Sequence, residues 1–175
     1  METPAETLTD GVVSLRRWRT SQCDEQLALI TGSLEHIGAW MIWATHGYDA
    51  DDSAEYLART ERQWDEGETF DYAIYSAGEL AGGCGLMRRP GGREIGYWLG
   101  SAFTGRGLVT RAVTLLTAEA FRRGAGYVEI KHDELNVRSG AVPARLGFTL
   151  VRKEIVEGPL APACSGTNHV WRKDS

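Results

Sequence analysis

No apolar run in the chain approaches the roughly 18 residues that a membrane-spanning helix requires. The first residues also lack the basic, then apolar, then small-residue order of a secretory signal. The expectation is a cytoplasmic protein that does not engage membranes. Cysteine is sparse: Cys23, Cys84 and Cys164 are odd in number and far apart. They supply neither a disulfide framework nor a metal site, and they suit a reducing compartment. Positive charge is in deficit, with 19 Lys and Arg against 24 Asp and Glu and a formal net charge of -5. A nucleic-acid binder usually turns a basic face to the phosphates. Arg16-Arg17-Trp18-Arg19 and Arg88-Arg89 are too short for one and read as solvated surface. Internal repeats and low-complexity segments are absent. No Gly-Lys-Ser/Thr triplet occurs, so the Walker phosphate loop is ruled out, and no G-x-S-x-G elbow marks a serine nucleophile.

What is present is ordinary globular composition, 42% hydrophobic and 25% charged. A chain of 175 residues supports one domain that buries about 70% of its unfolded surface. Residues 1–10 read as a mobile tail and 11–175 as the domain. Val12–Trp18 alternates as a first strand, and residues 22–31 form a helix with Leu27 and Ile30 inward. Asp51-Asp52-Ser53 caps a helix running to Trp64, and Gly67 ends it. Phe70–Ser76 and Leu80–Met87 are strands joined at Ala77-Gly78-Glu79, and Arg93–Leu99 follows the Pro90-Gly91-Gly92 turn. Val109, Ala112, Val113, Leu116 and Ala120 recur at helical spacing, with Gly124 as the stop. Tyr127–Lys131 is the next strand, and Asn136 caps a helix over Ser139–Leu146. Phe148–Glu157 and Thr167–Lys173 make a final hairpin. This order implies an α+β fold with one mixed sheet.

The chemistry concentrates in Glu94-Ile95-Gly96-Tyr97-Trp98-Leu99-Gly100 and in the Thr104-Gly105-Arg106-Gly107-Leu108-Val109-Thr110 that follows. A strand enters a glycine-spaced turn, and the turn opens into a helix. Glycines leave backbone N–H groups uncovered, and the helix N-terminus adds its positive dipole end. Arg106 adds a full charge. Together these make a pocket for an anionic pyrophosphate. The dinucleotide fingerprint G-x-G-x-x-G does not fit, because Gly105-Arg106-Gly107 is followed by Leu108-Val109-Thr110 without the third glycine. Taken alone, a single G-x-G also serves as a plain strand-to-helix joint.

About 30 residues downstream stands Asn136-Val137-Arg138-Ser139-Gly140-Ala141-Val142-Pro143-Ala144-Arg145-Leu146-Gly147-Phe148. With this second segment the chain resembles the GNAT superfamily of acyl-CoA-dependent N-acyltransferases, in its RimJ/RimL-type branch. That branch pairs an E-I-G-Y-W-L-like strand and a Q/R-x-x-G-x-G/A loop with an N-x-x-S-x-x-[VI]-x-x-x-L-G-F segment. The match covers residues 70–150 and extends more loosely to Val13-Ser14-Leu15-Arg16 and the Trp40/Trp43 region. Thr104 replaces the long first side chain of the loop, Val109 its last small residue, and Pro143 bends the last helix.

The resemblance implies a single domain with a mostly antiparallel twisted sheet, splayed between its fourth and fifth strands, here Glu94–Leu99 and Tyr127–Lys131. It implies acetyl-CoA as co-substrate and no metal. Backbone groups of Trp98, Leu99 and Gly100 would hold the pantetheine, Thr104 to Thr110 the pyrophosphate, and Asn136 the pantetheine arm. A primary amine, on a peptide or protein N-terminus or a small molecule, would attack the thioester directly. Ser139 would return a proton to the thiolate, with Glu94 and Tyr97 as candidate base and hydroxyl donor. Each has a plain structural reading beside this one: helix capping for Asn136 and Ser139, a strand-end carboxylate for Glu94, sheet packing for Tyr97. His132 has a base's pKa range but sits where strand-end histidines commonly do. Trp40 and Trp43, three apart and so on one helical face, would wall the acceptor site or fill the core, with Asp49, Asp51 and Asp52 near to attract a cation. Arg138 would favour a succinyl donor. The resemblance also implies a homodimer. The alternative is a member of the same fold that binds CoA or a related nucleotide-derived ligand without transfer.

Overall fold

The computed structural model describes residues 2–175 as one eight-stranded sheet with helices on its faces. The strands are β1 (Thr7–Thr9), β2 (Val13–Arg17), β3 (Thr69–Ser76), β4 (Glu79–Arg89), β5 (Gly92–Leu99), β6 (Tyr127–Asp133), β7 (Thr149–Ile155) and β8 (Thr167–Asp174). The helices are α1 (Cys23–Thr31), α2 (Leu34–Gly38), α3 (Ile42–Thr45), α4 (Ala50–Asp65), α5 (Leu108–Arg122) and α6 (Val137–Arg145). The spatial order is β1-β2-β3-β4-β5-β6-β8-β7. Every pairing is antiparallel except β5 with β6.

Two-residue alternation decides which face each strand offers. Phe70, Tyr72 and Ile74 of β3, Cys84 and Leu86 of β4, and Ile95 of β5 join one core beneath α5. That helix contributes Leu108, Ala112, Val113, Leu116 and Ala120, all under 5% exposed. Gly124, at φ +85°, turns the chain out of it. On the opposite face Trp18, Leu57, Ala73, Tyr75 and Leu80 pack beneath α1 and α4. The β3–β4 hairpin turns at Ala77 (φ 50°) and Gly78 (φ 80°). Two left-handed residues in succession match the twist of the flanking strands.

Three expectations change. Within the expected tail, residues 5–10 are tied to the rest of the fold. Thr7–Thr9 pairs with Ser14–Arg16, Ala5 N donates to Glu119 and Tyr72 Oη donates to the Ala5 carbonyl. Asp10 closes the turn by accepting from the N–H groups of Val12 and Val13 at 2.9 Å. The cap of α4 is Asp49, reciprocally bonded with Asp52, rather than Asp51-Asp52-Ser53. In α1, Ile30 is buried as expected, but its companion inside is Gln26, at 1% exposure. Its Oε1 accepts from Tyr48 Oη and Ser53 Oγ, which satisfies a buried amide and ties α1 to α4.

Candidate active site in the splayed sheet

β5 stays paired with β4 as far as Gly82↔Leu99, and β6 stays paired with β8 as far as Asp133↔Asn168. Between β5 and β6, however, the parallel ladder ends at Ile95↔Ile130. The edge of β5 beyond Ile95 therefore carries main-chain groups with no ladder partner. The strands diverge into a cleft of about 410 Å³. Tyr97, Trp98 and Leu99 line one wall; Asn136, Arg138 and Ser139 line the other, and the glycine turn closes one end.

The turn has the conformation that the glycines were expected to provide. Gly105 and Gly107 sit at φ +76° and +73°, and Gly107 is the N-cap of α5. The first bond into the helix is from Arg111 N to the Gly107 carbonyl, at 3.2 Å. The N–H groups of Leu108, Val109 and Thr110 thus precede the hydrogen-bonded ladder and point out of the helix end. A Cβ built on Gly105 or Gly107 would meet nothing within 4 Å. The mouth of the turn is open, and its donors suit a pyrophosphate. Thr104 braces the loop locally, its hydroxyl donating to the Ser101 carbonyl at 3.1 Å. Gly100 is fixed by packing, since a Cβ there would press on Leu29 Cδ1 at 2.5 Å.

Arg106 departs from its expected place: its guanidinium lies over the Phe103 ring, 5.4 Å from the centroid, off the cleft wall. The charge at the helix end comes instead from Arg145, whose Nη2 donates to Thr110 Oγ1 at 3.1 Å, and Arg138 also lines the cleft. Arg145 escaped sequence reasoning. It lies on α6, 35 residues from Thr110, and only the tertiary fold brings the two helices together.

Tyr97 and Ser139, 42 residues apart in sequence, are joined directly. Ser139 Oγ donates to Tyr97 Oη at 3.1 Å, and Tyr97 Oη donates to the Ser139 carbonyl at 2.9 Å. Pro143 explains why that carbonyl is available. It has no N–H, so the acceptor four residues back receives no helix bond from it. Asn136 caps α6 by accepting from Ser139 N at 3.3 Å. Burial pushes the Tyr97 phenol up to about 12, against the lowering effect of the Ser139 hydrogen bond. The phenol is therefore held as a neutral donor.

Other expected residues lie elsewhere. Glu94 is outside the cleft lining and is held by Arg89 at 2.8 Å and Lys131 at 3.5 Å. His132 is committed on both nitrogens: Nε2 accepts from Trp171 Nε1 at 2.9 Å, and Nδ1 lies 2.8 Å from the Asp133 carbonyl. Burial lowers its pKa, and the ring packs where a Cβ on Gly140 would otherwise fall. It is a neutral, structural histidine. Trp40 and Trp43 do not share a helical face, because the chain turns between α2 and α3. Trp40 lines the cleft, while Trp43 is 42% exposed and sets its ring edgewise against Trp98 at 5.8 Å. Asp49 and Asp52 are occupied in capping. Among the described residues no group of three or more His, Cys, Asp or Glu side chains could hold a metal ion, and no helix is long and apolar enough to cross a membrane.

Comparison with known proteins gives the same answer as the geometry. The family model described as "Acetyltransferase (GNAT) domain" matches residues 13–149. The Bacillus subtilis (strain 168) protein named "Putative ribosomal N-acetyltransferase YdaF" is 27% identical over 143 residues, covering 78% of this chain and 77% of its own. The structure of RimL, a ribosomal L7/L12 α-N-protein acetyltransferase in complex with coenzyme A, superposes with a TM-score of 0.89 at 21% identity over 97% and 98% of the two chains. That of the microcin C7 self-immunity acetyltransferase MccE, in complex with acetyl-CoA and AMP, gives 0.87 at 22% identity over 95% and 94%. The open glycine turn, the unpaired edge of β5 and the 13–149 match converge: this chain belongs to the acetyltransferase (GNAT) family.

Proposed function

We propose that the chain moves the acetyl group of acetyl-CoA onto a primary amine by direct attack on the thioester, with the divergence of β5 and β6 beside the N-terminus of α5 as the observation that carries the assignment. The N–H groups of Leu108, Val109 and Thr110, with Gly105 and Gly107 clearing the approach and Thr104 bracing it, receive the pyrophosphate; Arg145 adds positive charge. Main-chain groups on the unpaired edge of β5 from Trp98 to Gly100 hold the pantetheine as an added strand, although the Gly100 N–H is itself bonded to the Ala81 carbonyl at 2.8 Å, and Asn136 orients the far side. Acetyl-CoA supplies the activated acyl group. The chain's own part is alignment, exclusion of water and proton handling.

Ser139 donates a proton to the departing thiolate and regains the one that leaves the amine nitrogen, while Tyr97 Oη, which accepts from Ser139 Oγ, holds that hydroxyl in place. Glu94, paired with Arg89 and Lys131, contributes charge balance beside β5. The acceptor enters from the side of Trp40, with Trp43 buttressing Trp98. The ribosomal names of the relatives favour a peptide or protein N-terminus over a small amine as acceptor. A cytoplasmic setting and a homodimer complete the reading. The dimer is supported by the outer strand β7, where Leu150 and Val151 are more than 40% exposed and Ile155 is 84% exposed.

The test is calorimetric titration with acetyl-CoA, beside the Gly105→Asp/Gly107→Asp double variant, followed by an acceptor screen that detects free thiol. Micromolar binding abolished in the variant, with thiol release dependent on amine, is the expected result. A wild type that binds no acetyl-CoA would overturn the assignment.

A further inference from the structure

We propose that Asp71 is the acceptor-side carboxylate of this enzyme: it receives the ammonium group of the incoming amine on the sheet face opposite Tyr97 and Ser139, and takes one of its protons. The inference rests on the acetyl-transfer reading above and adds to it the residue that grips the second substrate.

Asp71 interrupts an otherwise apolar strand. Its neighbours Phe70 and Tyr72 turn into the core beneath α5, so Asp71 faces the other way, with Ala73 and Tyr75. Register carries that face across the sheet: Asp71 is opposite Gly85, and Gly85 is opposite Gly96; in the next row Ala73 is opposite Gly83, and Gly83 is opposite Trp98. Three glycines thus pave the way from Asp71 to the splayed edge. They are glycines for a reason. A Cβ on Gly85 would collide with Asp71 Oδ1, and one on Gly83 would meet Trp98 Nε1 at 2.6 Å. The Asp71 carboxylate therefore lies across β4, leaning toward β5, with the Trp98 indole beside it on the same floor. At Gly96 a Cβ would meet only the flexible end of Met87, at 3.3 Å, so the floor there is bare.

Gly96 is also the first residue of β5 beyond the last parallel pair, Ile95↔Ile130. With strands about 4.8 Å apart, a carboxylate over β4 stands about one strand spacing from the edge where the thioester is expected. The surroundings suit a cation. Tyr56 of α4 hydrogen-bonds to Asp71, Trp98 presents its ring, and Trp43 backs Trp98 at 5.8 Å. Aromatic faces around one carboxylate recognise ammonium groups. Asp71 keeps intermediate solvent exposure and lies outside the residues that line the cleft.

Desolvation in this recess raises the Asp71 pKa to about 7, against the pull of Arg59 and the Tyr56 hydrogen bond. The other charged and titratable groups nearby are the Cys84 thiol in β4 and, farther along the same face of β5, Glu94 with its partners Arg89 and Lys131. A carboxylate titrating near neutrality is matched to taking a proton from an ammonium group. The proton ledger closes for a primary amine. Of three ammonium protons, one passes to Asp71 and then to water. The amine lone pair forms the N–C bond as the C–S bond breaks. A second proton leaves nitrogen while the thiolate gains one through Ser139, and the third remains on the amide.

The test uses Asp71→Asn and Gly96→Ala, each read for acetyl-CoA affinity and for the pH dependence of acceptor kcat/KM. Asp71→Asn should leave acetyl-CoA binding unchanged, lower acceptor kcat/KM at pH 7 by about 100-fold, and abolish the rise in rate near pH 7. Activity should recover at alkaline pH, where the amine is already neutral. Gly96→Ala keeps Asp71 but puts a methyl on the bare floor, and should raise acceptor KM about tenfold with acetyl-CoA affinity retained. A wild-type pH profile and KM in Asp71→Asn would overturn the proposal. Should that variant fail to fold, an unchanged acceptor KM in Gly96→Ala would overturn it instead. Failure of the underlying reading is seen separately, as a wild type without acetyl-CoA binding.

Discussion

Gly107 allows the charge of the pyrophosphate site to be measured apart from its shape. Gly107→Asp and Gly107→Asn are nearly isosteric, and both residues tolerate the left-handed φ of +73° at about 1 kcal/mol. That conformational cost cancels between them. The added side chain has room, since a Cβ there meets nothing within 4 Å, and it projects toward the mouth of the turn. At about 5 Å from a phosphate, with an effective dielectric constant of about 20–40, one like charge costs about 2–3 kcal/mol. Asp should therefore bind acetyl-CoA about 30–150-fold more weakly than Asn. Calorimetry at two salt concentrations measures this, and the gap should narrow as salt rises. Asp at an N-cap suits the helix itself, so its thermal midpoint should equal or exceed that of Asn. Weaker binding in the more stable protein would assign the loss to charge. Equal affinities in the two variants would refute a pyrophosphate at this helix end.

Tyr97→Phe and Ser139→Ala should each lower kcat for thiol release about 10–100-fold with acetyl-CoA affinity kept; a drop confined to affinity would make both purely structural. Pro143→Ala restores an N–H that competes with Tyr97 for the Ser139 carbonyl. Thermal stability should hold or rise, since proline disfavours a helix interior by about 3 kcal/mol, while turnover falls; unchanged turnover would show that the freed carbonyl has no part in the site. Glu129, 3% exposed, accepts from Arg152 and Arg172, and chiefly the Arg152 hydrogen bond holds its carboxyl at about 2, down from an ordinary 4.5. A depressed carboxyl stabilises above its unfolded pKa and loses that contribution as pH falls toward 2. The full shift would be worth about 3 kcal/mol, cut to about 1–2 by the solvent exposure of both arginines. In urea titrations, wild type and Glu129→Gln should differ by this amount at pH 7 and converge near pH 2. A constant difference would place the effect in packing.

The strongest periodicities were legible in the sequence. The apolar spacing of Ala112, Val113 and Leu116, the Ala77-Gly78 turn and the Gly105–Gly107 loop depend on neighbours close in sequence, and the structure keeps them. Contacts between distant residues were not legible. β1 is three residues long and largely polar, and is held by Asp10 and Glu119 rather than by an apolar pattern of its own. The break between α2 and α3 follows from close packing, for a Cβ on Gly38 would meet the Ala44 carbonyl at 2.9 Å. Spacing alone placed Trp40 and Trp43 on one face. Tyr97 and Ser139 were each singled out, but their hydrogen-bonded pairing, and the part of Pro143 in it, emerge only when β5 and α6 meet. Asp71 went unmarked because a lone acid in a strand gains meaning only from the glycines opposite it.

The three parallel pairs between β5 and β6 make a short seam between two leaves of the sheet, β1–β5 and β6–β8. The angle between the leaves, and hence the width of the gap, is set by this short seam together with α5, whose side chains share one core with Ile95 of β5 and with Val128 and Ile130 of β6. A ligand lying in the gap as an extra strand would act as a splint, stiffening both leaves at once. Acetyl-CoA should therefore slow amide exchange on both margins, from Gly96 to Leu99 and from Lys131 to Asp133, and raise the melting temperature with the logarithm of its concentration. In this way the enzyme would become mechanically whole only when acetyl-CoA is bound.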